Sequence, residues 1–290
     1  MRFAFMAAHA RIYHVTTMCR VLEVSRAGYY AWRARPLCQR GQDDAVLRAR
    51  IRQIYAAVHG RYGSPRVRHE LRALGLSCGK HRVARLMRAE GLRATSARRV
   101  RRTTNSAHAY APAPNVLGRD FAVAASTATP VWMADITYVP TVEGWLYLAV
   151  VLERVSRRVV GWAVRPHLGQ ELTLSALQMA LQHHRPTHGG LHHSDRGVQY
   201  ATHAYRQLLA TAGFRVSMSR RGDCWDNAVV ESFFATLTKE LLLDGVFPTH
   251  TAARHAIFEF IEIWYNRQRR HSTLAYRTPV EVEAALHHTG

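Results

Sequence analysis

The chain has 290 residues, of which 48% are hydrophobic and 21% charged, so it can bury one large core or two smaller ones. The sequence contains no run of 18 uncharged apolar residues and no cleavable signal pattern near its start, which predicts a cytoplasmic protein without a membrane span. Its four cysteines are scattered, and several of its 18 histidines form adjacent doublets. Neither spacing is typical of a structural zinc site or a disulfide framework.

The charge is large and unevenly distributed. The 40 Lys and Arg against 20 Asp and Glu give 40 − 20 = +20. Residues 1–110 carry 23 basic and 5 acidic side chains (23 − 5 = +18), whereas residues 111–290 carry 17 and 15 (17 − 15 = +2). A basic front half joined to a nearly neutral back half indicates a polyanion-binding module attached to a second domain.

Residues 1–102 are predicted to form a basic, helix-turn-helix DNA-binding region. Apolar residues at helical spacing predict a short helix within 15–24, and Ser25 is placed to N-cap the helix that follows. A longer helix is predicted over 43–58, with two aspartates in its first turn, where they interact favourably with the helix dipole.

A second helix-turn-helix follows in the same basic region. Ser64 is the expected N-cap, with Pro65 at the first helical position, of a helix that stops at Gly75. A short glycine-bearing turn then leads into the helix over 80–91. Residues 80–102 hold nine Lys or Arg and one Glu, so we expect phosphate contacts from Lys80, Arg82, Arg85, Arg88, Arg98, Arg99, Arg101 and Arg102.

The back half changes from helices to alternating elements. Residues 103–130 are small, polar and proline-bearing, as in a linker. The predicted core, 131–245, begins with three antiparallel strands at 131–139, 144–152 and 157–165. Helices at 170–184, 202–212 and 226–243 then alternate with short strands at 191–195 and 214–219. This pattern predicts a mixed α/β sheet covered by helices, with residues 246–290 as a helical extension.

Three carboxylates are placed where a structural role is costly. Asp135 lies inside an apolar strand, and a buried charge there needs a cation or a metal ion. Asp195 follows the short fourth strand, at the edge where open α/β sheets present their sites. Glu231 lies in an apolar helix that packs on the sheet, 231 − 195 − 1 = 35 residues after Asp195. We expect the three residues to converge at one sheet edge.

The ordered segments of the chain resemble those of a known family. They are "RVLEVSRAGYYAW", "YGSPRVRHELRALG", "VWMADITYVPTVEGWLYLAVVLERVSRRVVGWAV", "HHSDRGVQY", "SRRGDCWDNAVVESFFATLTKELL" and "WYNRQRRHSTLAYRTPVE". Together they resemble the second-reading-frame product of the IS-three family of insertion-sequence transposases, which has a retroviral-integrase-like core. The resemblance covers nearly the whole chain.

The resemblance implies a ribonuclease-H-like mixed five-stranded sheet and an Asp-Asp-Glu triad at Asp135, Asp195 and Glu231. The triad would bind two Mg²⁺ ions, with Mn²⁺ able to substitute, because Mg²⁺ takes hard oxygen ligands. The implied reaction is 3′-end cleavage followed by strand transfer through in-line phosphoryl transfer. The implied partners are the element's terminal repeats and target DNA, an upstream-frame protein or fusion, and further copies of the chain on nucleoid DNA in a bacterial cytoplasm.

Further basic residues near the catalytic core are also expected to contact DNA: Lys239, Arg269 and Arg270. Tyr265 has apolar neighbours at helical spacing and is interpreted as a packing residue rather than a nucleophile. Two alternatives remain open from the sequence: a DNA-binding regulator whose core no longer catalyses, and a ribonuclease-H-type nuclease without strand transfer. An intact triad with its metal separates the first alternative from a transposase, and joined products separate the second.

Overall fold

The protein divides into two compact units, Met1–Arg93 and Ala94–Gly290, in a computed structural model. The structure describes residues 1–35, 38–94, 113, 129–184, 189–219, 227–242 and 245–288. The linker predicted over 103–130 therefore lies almost entirely outside the described residues. Within the described parts, no helix combines the length and apolarity needed to cross a bilayer.

The described part of the first unit is helical. Its helices are α1 (Arg2–His9), α2 (Val15–Val21), α3 (Arg26–Ala34), α4 (Gln39–Ala57), α5 (Ser64–Ala73) and α6 (Lys80–Ala89). The helices predicted for this region are confirmed, whereas α1 was not predicted. The helix expected to begin at residue 43 begins at Gln39, so Asp43 and Asp44 lie beyond its first turn and their predicted interaction with the helix dipole there is wrong. Met6 on α1 is fully buried against α2 and α3, in a cluster with Met18, Cys19 and Tyr29. A single buried methionine and short length explain why periodicity does not reveal α1.

The helix boundaries agree with the capping signals in one case and not in another. The Ser25 hydroxyl accepts a hydrogen bond from the Gly28 N–H at 2.9 Å, so the predicted N-cap of α3 is confirmed. The prediction that Ser64 caps α5 is wrong, because Gly63 is the N-cap and Ser64 is the first helical residue. Pro65 lies in the first turn, where its missing N–H costs nothing, and this allows the helix to begin one residue earlier.

The second unit is built on a five-stranded sheet in the order β3-β2-β1-β4-β5. The strands are β1 (Val131–Thr141), β2 (Gly144–Glu153), β3 (Val159–Arg165), β4 (Gly190–Ser194) and β5 (Phe214–Met218). The first three form the predicted antiparallel meander, and β4 and β5 add in parallel beside β1. The mixed sheet predicted from the sequence is thus confirmed, with β1 at its centre.

One group of helices covers the sheet with a shared apolar core. It comprises α7 (Gln170–His183), α8 (Val198–Ala201) and α9 (His203–Thr211). Side chains of α7 and α9 are buried together with alternate residues of β1 and β2, including Trp132, Ala134, Ala149 and Val151. Gly161 on β3 permits the closest approach, since a Cβ atom there would lie 2.2 Å from the carbonyl oxygen of Ala176 on α7.

A second group of helices follows the last strand. It comprises α10 (Ala228–Glu240), α11 (His250–Phe258), a π-helical stretch (Glu259–Tyr265), a 3₁₀ turn (Ser272–Leu274) and α12 (Pro279–His288). Both α10 and α11 contact β1, so this group lies beside the central strand. The ring of Phe233 on α10 meets the ring of Tyr265 edge-on, with centroids 4.7 Å apart.

Candidate active site

Asp135 and Asp195 occupy neighbouring positions on two adjacent strands. The parallel strands β1 and β4 pair in register up to Ala134 and Ser194, and each of these residues is followed directly by an aspartate. Adjacent strands are about 4.8 Å apart, so the two aspartates begin from backbone positions at about that separation. The sequence predicted both at one sheet edge, and the strand pairing brings together the two residues that immediately precede them.

Each aspartate side chain is oriented by a hydrogen bond from a nearby backbone N–H. An Asp135 carboxylate oxygen accepts a hydrogen bond from the Ile136 N–H at 2.8 Å. An Asp195 carboxylate oxygen accepts one from the Gly197 N–H at 2.9 Å, as in the turn that ends a strand. Asp135 is 7% exposed, although it lies in the central strand among apolar neighbours. A carboxylate so placed is costly unless its charge is compensated.

The start of α10 is attached to β1 beside this pair. The Asn227 side-chain amide donates to the carbonyl oxygen of Ala134 at 3.3 Å, and Asn227 is 4% exposed. Glu231 comes four residues later, in the first turn of α10, and residues four apart lie on the same helix face. Glu231 is therefore one helical turn away from a residue that contacts the backbone next to Asp135.

The donor set at this edge suits a hard divalent cation. Mg²⁺ prefers carboxylate oxygens and water, and all three residues supply carboxylates. As placed, no three His, Cys, Asp or Glu side chains of the described residues are grouped closely enough to hold a metal ion. The shared metal site of Asp135, Asp195 and Glu231 therefore stays a prediction.

The two histidines before Asp195 have structural partners. His193 Nδ1 lies 2.9 Å from the Ser217 hydroxyl and Nε2 lies 3.1 Å from the Ser219 hydroxyl, so His193 ties β4 to β5. His192 Nε2 is hydrogen-bonded to the Tyr205 hydroxyl at 2.9 Å. Complete burial lowers the pKa of His192 to about 3, so its imidazole stays neutral. Both histidines therefore hold the end of β4 to neighbouring elements.

Tyr265 is placed as a packing residue. It is 3% exposed, and burial raises the pKa of its hydroxyl well above the ordinary value, which makes the phenolate nucleophile inaccessible. Arg269, four residues on, is 6% exposed and forms a bidentate ion pair with Glu240, with Nη2 to Oε1 at 2.8 Å. A guanidinium used in this way inside the protein is poorly placed to contact a DNA phosphate.

The predicted basic face of α6 divides into two kinds of residue. Lys80 and Arg88 are exposed. Arg82 and Arg85 share the carboxylate of Asp44 on α4, at 2.7 and 2.6 Å. The hydrogen bond from Arg85, and to a smaller extent that from Arg82, lowers the pKa of the Asp44 carboxyl to about 2. The charge of both arginines is thus partly compensated within the unit, although about half of the Arg85 side chain (48%) remains exposed.

The remaining predicted DNA contacts are scattered. Lys239 is exposed on α10. Arg270 Nη1 lies 3.4 Å from both the Tyr276 carbonyl oxygen and a Glu281 carboxylate oxygen. The other four predicted contacts lie outside the described residues: Arg98, Arg99, Arg101 and Arg102.

Comparison with protein families locates two kinds of domain in the chain. An integrase core domain model matches residues 126–224, and a second integrase core domain model matches residues 212–279. A helix-turn-helix-like domain model matches residues 42–100. The helical front region therefore corresponds to the helix-turn-helix-like domain, and the mixed sheet with its flanking helices corresponds to the integrase core. Both assignments confirm the predicted fold class.

Full-length relatives decide the family. The chain is 39% identical over 290 residues to the transposase InsF for insertion sequence IS3A of Escherichia coli (strain K12), with 98% of each chain covered. The chain belongs to the IS3 family of insertion-sequence transposases. It is also 43% identical over 270 residues to the insertion element IS600 uncharacterized 31 kDa protein of Shigella sonnei, covering 93% of this chain and 98% of that one.

Solved structures similar to this IS3-family chain are retroviral proteins at low identity. The catalytic core domain of HTLV-2 integrase in complex with magnesium is 16% identical, with a TM-score of 0.39, covering 53% of this chain and 95% of that chain. The simian T-cell lymphotropic virus intasome in complex with the PP2A subunit B56 gamma is 15% identical, with a TM-score of 0.44, covering 80% and 73%.

Sequence reasoning missed the roles of three residues in the two units. The link of Asn227 to Ala134 is a tertiary contact without a local signal. Asp44 was interpreted only as a helix-dipole residue, although it holds two arginines of α6. Glu240 ends α10 and pairs with Arg269 across 29 residues, which no spacing rule predicts.

Proposed function

We propose that this chain catalyses metal-dependent 3′-end cleavage of an insertion element and transfer of the freed 3′ ends to target DNA by in-line phosphoryl transfer. The observation that supports it best is the register of β1 and β4, in which the paired residues Ala134 and Ser194 immediately precede Asp135 and Asp195. The attachment of α10 to the backbone beside Asp135 adds Glu231 from a third element. The integrase core models and the transposase relatives agree with this chemistry.

We propose that Asp135, Asp195 and Glu231 hold two Mg²⁺ ions, with Mn²⁺ able to substitute. When bound, such ions stabilise the attacking and leaving oxygens of a phosphodiester displacement. The aspartates supply rigid ligands, because the strand fixes Asp135 and a turn fixes Asp195. Glu231 would supply the third carboxylate from α10, a helix that is held at its start by Asn227. No covalent intermediate is proposed, and buried Tyr265 takes no part.

DNA binding is assigned to the first unit and to cations of the core. Lys80 and Arg88 are exposed, and we keep them as phosphate contacts together with Arg85, which retains half its exposure. The proposed set also includes Arg82, Arg98, Arg99, Arg101, Arg102, Lys239 and Arg270, but not Arg269, whose guanidinium is occupied by Glu240. The net charge of +20 supports a nucleic-acid partner.

The further partners and the setting are part of the same proposal. An upstream-frame protein or fusion would complete the machinery, and several copies of the chain would assemble on the DNA ends. The relatives come from bacteria, which supports action on nucleoid DNA in a bacterial cytoplasm.

The test uses the whole chain with labelled linear DNA that ends in the element's terminal repeat, with the upstream-frame protein present and absent. We expect cleaved and joined products in Mg²⁺, and none in EDTA or with Asp195→Asn. Glu259→Gln, an exposed carboxylate-to-amide change in the same unit, is the matched control and should retain activity. Cleavage without joining under every condition would favour a nuclease. Binding without either reaction, in Mg²⁺ and Mn²⁺ alike, would overturn the proposal and favour a DNA-binding regulator.

A further inference from the structure

The last residue of α10 is held by residues from the end of the π-helical stretch and from the segment just after it. The Glu240 carboxylate accepts hydrogen bonds from Arg269 Nε at 3.0 Å and Nη2 at 2.8 Å, and from the Trp264 indole N–H at 2.9 Å. The Glu240 and Arg269 side chains are each only 7% exposed. Removing either charge would leave the other buried and uncompensated, so this contact strongly favours one position for the end of the helix.

The same segment also packs against the middle of α10. The Tyr265 ring stands perpendicular to the Phe233 ring (89°), with centroids 4.7 Å apart. His271 contacts the other side of Tyr265 edge-on at 4.8 Å, and the Arg269 guanidinium lies 5.9 Å from the Tyr265 ring centroid. Because Phe233 is two residues from Glu231, these contacts constrain α10 close to its proposed metal ligand.

Residues 262–271, called the brace below, are themselves attached to the sheet. The Asn266 side chain accepts from the Val159 N–H and donates to the Val159 carbonyl oxygen, both at 3.0 Å, and Asn266 is 1% exposed. One turn earlier, Glu262 accepts from the Trp162 indole N–H at 2.8 Å. A continuous set of contacts therefore runs from β3 through residues 262–271 to α10. The wide π-helical turn at Glu259–Tyr265 is an irregularity of a kind that often accompanies functional sites.

Helix geometry shows how this brace affects Glu231. Glu240 is nine residues after Glu231, and nine steps of about 100° leave the two side chains about 180° apart on α10. One carboxylate can thus face the sheet edge while the other faces the brace. Side-chain ends lie about 6 Å from a helix axis, so a rotation of about 10° would move the Glu231 carboxylate by about 1 Å.

We propose that Glu240, Arg269 and Trp264 are positioning residues, which set the rotation of α10 so that Glu231 completes the ligand set with Asp135 and Asp195. This inference rests on the proposed function, since it assigns a role to residues around that same site. It also gives a role to Arg269 in the segment "WYNRQRRHSTLAYRTPVE", which was expected from sequence to contact DNA.

The test compares two conservative variants in the full chain. Glu240→Gln removes the charge but keeps the shape, and Trp264→Phe removes only the indole N–H bond while keeping an aromatic ring. A displacement of about 1 Å at a reacting group costs up to about 10²-fold in rate. We therefore expect kcat for strand joining to fall by about 10- to 100-fold in both variants. The KM for DNA should stay within about twofold, because neither variant replaces a proposed DNA contact.

Metal dependence gives the readout that a purely structural role would not change. We expect the Mg²⁺ concentration for half-maximal rate to rise severalfold, and the increase in Tm on adding Mg²⁺ to the DNA-free protein to shrink, because a ligand that binds the native state stabilises it. Glu259→Gln is the control and should match the unsubstituted chain in both respects. Trp264→Phe keeps the experiment informative if Glu240→Gln does not fold.

Two further results would overturn the inference in distinguishable ways. If Glu231→Gln abolishes joining while folded Glu240→Gln and Trp264→Phe keep the kcat and Mg²⁺ dependence of the unsubstituted chain, the positioning role is refuted and the proposed function stands. If Glu231→Gln itself joins DNA at the unsubstituted rate, the proposed function fails and the inference fails with it.

Discussion

Replacing Asn227 by alanine should reveal how far the start of α10 controls the site. The change removes the amide that donates to the Ala134 carbonyl oxygen, in a place where the two residues are 4% and 1% exposed. A neutral hydrogen bond contributes about 0.5–1.5 kcal/mol net, and loss of a buried partner raises this, so we expect a loss of about 1–2 kcal/mol. For a unit of this size that lowers Tm by about 2–8 °C.

The effect of Asn227→Ala on strand joining should exceed its effect on folding. Glu231 lies one turn from Asn227, and a shift of about 1 Å there would reduce the rate by up to about 100-fold. The assay measures Tm and single-turnover joining at a temperature where the variant is fully folded. Ser232→Ala, an exposed polar-to-alanine change on the same helix, serves as control. Joining by folded Asn227→Ala at the unsubstituted rate would refute the idea that this anchor positions Glu231.

Three further predictions concern the rest of the chain. Gly161→Ala should destabilise the second unit by about 3 kcal/mol in a urea titration, because the new Cβ would lie 2.2 Å from a backbone oxygen of α7. Gly169→Ala is the control: its new Cβ meets only a movable side chain, so it should cost about 1 kcal/mol or less in the same titration. In the folded protein the pKa of Asp44 is lowered to about 2 from 3.8, so its contribution to the free energy of unfolding is present above about pH 4 and should be lost as the pH falls toward 2. The stability of Asp44→Asn should lack this loss between about pH 4 and about pH 2. Arg88→Ala should reduce the slope of log K against log salt for DNA binding by about 0.9, the value for one phosphate, and an unchanged slope would exclude that contact.

The sheet was predictable from sequence for a simple physical reason. Strands β1 and β2 carry long apolar, β-branched runs separated by a short glycine-bearing turn, so length and pattern together exclude a helix. The positions of Asp135 inside a strand and of Asp195 just after one were also predictable. The pairing of β4 with β1, which brings the residues before these aspartates together, was not, because strand pairing across more than fifty residues leaves no local signal.

The charged residues show where sequence reasoning stops. A count of cations identified Arg82, Arg85 and Arg269 as DNA contacts, but it gives no information on internal partners. In the structure Asp44 compensates the first two and Glu240 occupies the third. Ion pairs between residues 29 to 41 positions apart are decided by tertiary packing, so a count of arginines does not show which of them also have partners inside the protein.

The central claim is that Asp135, Asp195 and Glu231 act together as the metal-binding triad of a strand-transfer enzyme. The most direct measurement is the joining of pre-cleaved terminal-repeat DNA in Mg²⁺ by Asp135→Asn, Asp195→Asn and Glu231→Gln, with DNA affinity and Tm measured on the same samples. We predict that each variant folds, binds DNA with unchanged affinity and loses joining by at least about 10²-fold. Joining near the unsubstituted rate by any one of the three would contradict the account.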